Sequence, residues 1–286
     1  MIHIGPPDMK VKDILTASCA GMQDLKLKKK LLEREPDLSA AEQAYVQAAE
    51  CDGLFTLAVD AQVAEKRLPA PQRKELQDLY SAGLVGRKHG RVKYDELQAR
   101  APYGHCLLCG NGEVSSLDHH LPKDSLPLYA ICPANLVPAC GKCNQAKGNR
   151  IGTVASQRTL HPYYDSLGEV ERYLIADVQG WPVQFRIQPL AEWDSELSQR
   201  VMHHFRVFNL EQRFAEFSVS PLASTRLHHQ KILRLGGPSN LAAHLQEDAE
   251  FHSSTHGLNH WGTALRYGLA DSVWYADHGV NDAPPS

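Results

Sequence analysis

The sequence has no run of about 20 apolar residues, the length a helix needs to cross a bilayer. Its longest candidate, Leu54–Val59, is far shorter. The opening MIHIGPPDMK has no apolar stretch behind a basic one, so a secretory leader is not expected. The cysteine count, 7, is odd. Without a leader, this points to the cytoplasm and to metal ligands or free thiols rather than a disulfide framework. A strong net charge is missing too: Lys plus Arg total 30 against 33 for Asp plus Glu, a net of −3. That excludes a chain coated in basic residues, while leaving room for a local basic patch. There is no Gly-x-x-x-x-Gly-Lys loop, so any dependence on ATP has to come from another protein. Internal repeats and low-complexity segments are also absent. What remains is a chain of 286 residues, 43% hydrophobic and 22% charged. This is enough for one large domain or two to three small ones with a real core.

The cysteines are not scattered evenly. Cys106 and Cys109 form one CxxC knuckle, Cys140 and Cys143 a second, with 30 residues between them. Two thiolates three positions apart on a tight turn face one ion. Two such turns supply the closed tetrahedral coordination of structural zinc. Gly104 and Gly110 flank the first pair and Gly141 lies in the second, as tight turns require. Cys19, Cys51 and Cys132 stand alone and are expected to be buried apolar thiols.

The stretch between the knuckles is longer than a zinc ribbon needs. It carries Asp118-His119-His120 and later Asn135-Leu136-Val137-Pro138, and Asn144 follows the second knuckle. Val114–Leu117 reads as a short strand ending at Asp118, and Leu136–Val137 as a second. Gly141–Lys147 reads as a short helix stopped by Gly148. The order is strand, loop, strand, helix, clipped by a zinc.

The pieces HCLLCG, LDHHLP and NLVPACGKCNQAKGN, within Cys106–Asn149, resemble the HNH nucleases with a ββα-metal core, in the variety bracketed by two CxxC knuckles. With YDELQAR at Tyr94–Arg100 and LHPYYD at Leu160–Asp165, the segment is similar to HNH subunits of bacterial antiphage defence systems, Septu among them. The resemblance implies a phosphodiester hydrolase, most simply of DNA, and a place as nuclease effector of a defence complex. It implies His119 as general base and Asp118 as carboxylate ligand of a catalytic Mg²⁺ or Mn²⁺. Asn135 would be the middle asparagine, part of the catalytic set but working through its hold on the loop that aims His119. Asn144 stands where many members have His, and its amide oxygen suits a hard cation. Lys147 shares a helix face with Asn144 and is either a phosphate contact or a solvated lysine. His120 falls where the family has an apolar residue, so packing is favoured over ligation. A histidine as base and a hard cation as Lewis acid are what phosphodiester hydrolysis needs.

The expected class is α+β: a mostly helical chain with a central zinc-bracketed ββα-metal module. The expected parts are a helical region over 1–100, the nuclease module over 101–165, a hairpin followed by helices over 166–280, and a disordered tail over 281–286. Ser39 and Glu42 match a capping box opening a helix from Ser39 to Ala64 that Gly53 interrupts. Pro71–Ala82 reads as a helix stopped by Gly83. Arg172–Val178 and Val183–Gln188 read as a hairpin about Gly180. Glu196–Phe208, Leu210–Phe217, His228–Leu235 and Trp261–Trp274 read as helices, with Ser239 capping another into His244.

From Leu84 to Arg150 there are 9 Lys/Arg against 5 Asp/Glu, a net of +4, leaving 21 against 28 elsewhere, a net of −7. Arg87, Lys88, Arg91, Lys93 and Arg100 are therefore candidates for phosphate attraction. The run Lys26, Lys28, Lys29 and Lys30 reads as a solvated helix face. His252, His256 and His260 recur at four-residue spacing, but Ser253, Ser254, Gly257 and Asn259 make a poor helix and argue against a metal site. His161 is expected to pack. The helical flanks invite a docking partner, such as an ATPase subunit. The alternative to the enzyme is a non-catalytic zinc module that binds nucleic acid or a protein.

Overall fold

The computed structural model describes residues 1–66, 68–168 and 171–282. The chain is mostly helical with two small sheets, and it divides into two compact units, one over 1–166 and one from Leu167 on. The tail expected over 281–286 lies outside the described residues from 283 on.

The first unit opens with six helices: α1 Val11–Cys19, α2 Leu25–Leu32, α3 Glu35–Glu50, α4 Leu54–Glu65, α5 Ala70–Asp78 and α6 Lys88–Gln98. Gly53 lies in the break between α3 and α4, as expected. The capping box does not form. Helix α3 starts at Glu35, with Pro36 and two acids, Glu35 and Asp37, in its first turn. Ser39 is already inside and donates to Glu35 at 2.7 Å. Glu42 instead accepts the Val11 N–H, at 3.1 and 3.2 Å to its two oxygens, and so caps α1 across the core. Burial is the main influence on its carboxyl and raises its pKa. Nor does Gly83 stop a helix: α5 passes into a π-helical turn, Leu79–Val85, that contains it.

Strands β1 Ser116–His119 and β2 Leu136–Ala139 pair antiparallel, with His119 opposite Leu136 and Asp118 opposite Val137. Helix α7, Gly141–Lys147, follows directly. The hairpin packs on the helices. Leu117, Ile131 and Leu136 join Val11, Ile14, Leu15, Leu84 and Leu97 in one buried cluster. The loop between the strands supplies Leu121, Leu126, Tyr129 and Cys132 to a second cluster, with Tyr45, Leu54 and Ala58. Residues 1–100 and the cysteine-bracketed segment therefore share one core. Cys19 and Cys132 are buried in it, but Cys51 is exposed at the end of α3, contrary to expectation.

Both outer edges of this hairpin are capped by side chains. Leu117 donates its N–H to the Tyr94 hydroxyl at 3.2 Å, and its carbonyl accepts from Tyr80 at 3.1 Å. On β2 the Leu136 carbonyl accepts from Tyr163 at 2.7 Å, and Pro138 has a carbonyl bonded by the Leu107 N–H at 3.1 Å.

The second unit has a hairpin of β3 Leu174–Asp177 and β4 Gln184–Ile187, then α8 Ser195–Val207, α9 Leu210–His256 and α10 Trp261–Ala270. The last helix ends before Trp274, which precedes a short π-helical turn, Tyr275–Gly279. Helix α9 is 47 residues long but not straight. At about 1.5 Å per residue, His229 and His244 would lie about 22 Å apart in a straight helix. Their ring centroids are 6.1 Å apart. The chain reverses at Gly237, whose φ of +73° only glycine adopts easily, so Gly236-Gly237-Pro238, just past the expected end of the His228–Leu235 helix, divides two antiparallel arms.

Candidate functional site

The four knuckle cysteines are buried, and one sulfur from each lies within 4.8 Å of all the others. An ideal tetrahedron of about 2.3 Å Zn–S bonds has edges of about 3.8 Å, so the cluster fits zinc. The first knuckle closes as Gly110 donates to the Cys106 carbonyl at 2.8 Å, Gly110 taking a φ of +78°. Gly112 donates to the Cys109 sulfur at 3.4 Å. Hydrogen bonding among the four sulfurs lowers Cys109 and Cys140 and raises Cys106 and Cys143, so the thiols share protons among themselves. A cation that binds all four as thiolates displaces those protons.

Beyond the second knuckle, α7 turns a different face to β1. Ser116 and Asp118 lie on one face of the strand, two residues apart. Asn144 and Lys147 lie on one face of the helix. Asn144 donates from Nδ2 to the Ser116 hydroxyl at 3.0 Å. Lys147 Nζ lies 3.3 Å from Asp118 Oδ1 and 3.1 Å from Oδ2, and donates to the His119 carbonyl at 2.5 Å. Asp118 is 2% exposed and Lys147 3%, so Lys147 is neither a solvated lysine nor, in this arrangement, open to a phosphate. Burial raises the Asp118 pKa, and the Lys147 ammonium opposes that shift. Asp118 Oδ2 has the Lys147 ammonium as its ion-pair partner and accepts no further hydrogen bond among the described residues. A buried carboxylate and an asparagine amide on facing elements are hard-oxygen donors of the kind Mg²⁺ or Mn²⁺ takes.

His119 is fixed on two sides. Its Nε2 lies 2.9 Å from the Ala130 carbonyl. A carbonyl only accepts, so Nε2 carries the hydrogen and Nδ1 the lone pair of the neutral ring. The Tyr80 ring stands edge-on to it, centroids 4.3 Å apart. Burial lowers the His119 pKa to about 3, so the ring is neutral at ordinary pH.

Asn135 is fully buried and makes three bonds. Its Oδ1 accepts from Leu121 N–H at 2.6 Å, and Nδ2 donates to the carbonyls of Leu121 and Tyr129 at 2.9 and 3.0 Å. It pins the loop leaving His119 and offers no group to a substrate. His120 points into packing, its ring 4.2 Å from that of His161. His161 accepts from Tyr163 N–H at Nδ1 and so donates from Nε2 to the Tyr45 hydroxyl at 3.0 Å. Tyr45, Tyr80 and His161 are far from the motif in sequence, and no local pattern marked Tyr45 or Tyr80.

The basic run before the first knuckle is largely occupied. Arg91 pairs with Asp95 and Lys93 with Glu96 along α6. Arg87 and Arg100 are tied to the carbonyls of Ser18 and Gly5. In the second unit, His252, His256 and His260 do gather, with centroids 4.2 to 5.3 Å apart. His252 Nδ1 lies 2.8 Å from the Thr263 hydroxyl, and His260 Nδ1 accepts from Gly262 N–H at 3.1 Å. Two of the rings are stacked at 16° rather than aimed at one point.

The chain is 26% identical over 240 residues to protein ea31 of Escherichia phage lambda, an alignment covering 80% of this chain and 81% of that protein. No family model matches the chain, and no solved structure matches it. No helix among the described residues is long and apolar enough to cross a membrane.

Proposed function

We propose that the protein is a metal-dependent endonuclease of the HNH type, with a ββα-metal core of β1, β2 and α7, that hydrolyses phosphodiester bonds of DNA. The observation that carries this reading is the fixed His119 next to a buried Asp118 that pairs with Lys147, on the same helix-strand interface where Asn144 bonds Ser116. His119 takes the proton of the attacking water at Nδ1, while the Ala130 carbonyl holds the opposite edge of the ring. Asp118 and the Asn144 amide oxygen hold a divalent cation, which when bound stabilises charge on the leaving 3′ oxygen. Lys147 neutralises phosphoryl charge once it is free of Asp118. Asn135 positions His119 through the backbone. The four-cysteine site is closed, with no position left for substrate, so its zinc serves the fold.

The relative in a phage supports a role in phage biology. Within that setting the protein acts in the cytoplasm as nuclease effector of an antiphage complex, with an ATPase partner engaged through the helices. A second reading, a zinc module that binds nucleic acid or protein without cutting, is favoured by one observation: Lys147 already occupies the Asp118 carboxylate. Purified protein incubated with plasmid DNA separates the two. Cutting that needs added Mg²⁺ or Mn²⁺ and falls about 10² to 10⁴-fold in His119→Ala, with zinc content and fold unchanged, supports the enzyme. DNA binding without cutting in either metal supports the module.

A further inference from the structure

Lys147 ends α7 with its ammonium inside the protein, against both oxygens of Asp118 and the carbonyl of the next residue. Buried lysines are paired almost without exception. This pair occupies the place a cation would take. A Mg²⁺ on Asp118 sits about 2.1 Å from the carboxylate oxygen, inside the ammonium contact at 3.1 Å, and two cations do not share a buried carboxylate at that range. Lysine is suited to leaving: its charge rides on a flexible four-carbon stem. It needs somewhere to go, and the anion that this chemistry brings is a backbone phosphate.

We propose that Lys147 is the resident counter-ion of Asp118 and is exchanged for a divalent cation as a nucleic-acid phosphate takes up its ammonium. Metal and nucleic acid then bind together, and each binds poorly alone. The inference rests on the nuclease reading above and adds a safeguard to it. Without nucleic acid, the pocket is neutralised from within and holds little metal.

The test uses the zinc-loaded full chain with Mn²⁺ as a probe, bound and free ion being separated by electron paramagnetic resonance. A His119→Ala background keeps a short DNA duplex uncut, and it leaves the residue 119 carbonyl in place. The duplex is expected to tighten Mn²⁺ binding about tenfold. Lys147→Met is expected to bind Mn²⁺ about tenfold more tightly without DNA and to gain less from the duplex. Equal Mn²⁺ affinity with and without duplex, or no gain in Lys147→Met, overturns the exchange. Where Lys147→Met fails to fold, the chain that keeps Lys147 decides: Mn²⁺ affinity that the duplex leaves unchanged overturns the exchange. Asp118→Asn separates the two levels of argument: Mn²⁺ binding that survives this change removes Asp118 as ligand, and the nuclease reading fails rather than the exchange alone.

Discussion

Each unit contains one two-stranded antiparallel hairpin, and each hairpin is held by one buried asparagine. In the first unit Asn135 makes three bonds to the backbone beyond β1. In the second, Asn259 accepts from the N–H groups of Tyr173 and Leu174 at 2.8 and 3.2 Å and donates to the Glu171 carbonyl at 3.0 Å. The device is the same, yet the surroundings differ. The second hairpin is packed by apolar and aromatic groups such as Phe185 against Phe214. The first also buries a carboxylate, an ammonium and an imidazole, at a desolvation cost that the hairpin itself does not require. The second unit buries ionisable groups too, Arg200, His204 and Arg213 among them, but on its helices rather than on the hairpin. On the proposed nuclease reading, Asp118, His119 and Lys147 are the groups held for chemistry, and Asn135 belongs to the scaffold.

That contrast can be broken most forcefully at the cysteines. Removing zinc, or replacing Cys140 by Ser, is expected to unfold the first unit, because structural zinc contributes about 10 to 16 kcal/mol in small zinc-binding peptides. All four tryptophans, Trp181, Trp193, Trp261 and Trp274, lie in the second unit. Their fluorescence should stay native while far-ultraviolet dichroism falls. A common collapse of both signals would show the two units to be one cooperative system.

A smaller perturbation tests the shared staple. Asn135→Ala strands three buried backbone groups and is expected to cost about 3 kcal/mol or more, since each unsatisfied group costs about 1 to 3, while Asn259→Ala strands one buried group and two that water reaches, at about 1 to 3 kcal/mol. Urea denaturation should show both losses, with only Asn259→Ala moving the tryptophan transition. A large loss from one and none from the other would end the analogy.

The mildest test is acid. Burial lowers His229 and His252 to about 4, below the ordinary value of about 6.5. The unfolded chain then binds more protons than the folded one in between. The stability these groups give is present above about pH 6.5 and is lost as pH falls through about 4. The tryptophan-detected melting temperature should decline over that window. His252→Gln should flatten the decline, and an unchanged slope would remove His252 from the account.

How much of this was legible in the sequence follows from the range of the interactions. The knuckles, helix Gly141–Lys147 and the reversal at Gly236-Gly237-Pro238 are local, and residue type at fixed spacing carries them. The apparent capping box failed for the same reason. Ser39 and Glu42 have the right spacing, but Glu42 is claimed by α1, 31 residues away. Helical spacing placed Lys147 on the face of Asn144 without saying that Asp118 waits across it. The clamp of Tyr80 on His119 and the bond of Tyr45 to His161, 116 residues apart, leave no local trace.

The tyrosine hydroxyls along the first hairpin have a further consequence. A two-stranded sheet offers two open edges, each a template on which a foreign strand could grow. Here Tyr80 and Tyr94 occupy the outward groups of Leu117, and Tyr163 occupies the Leu136 carbonyl. At Pro138 there is no N–H to offer. The rim is thereby closed to strand addition without a third strand, by phenolic hydroxyls along it and by the Lys147 ammonium on the His119 carbonyl at its end.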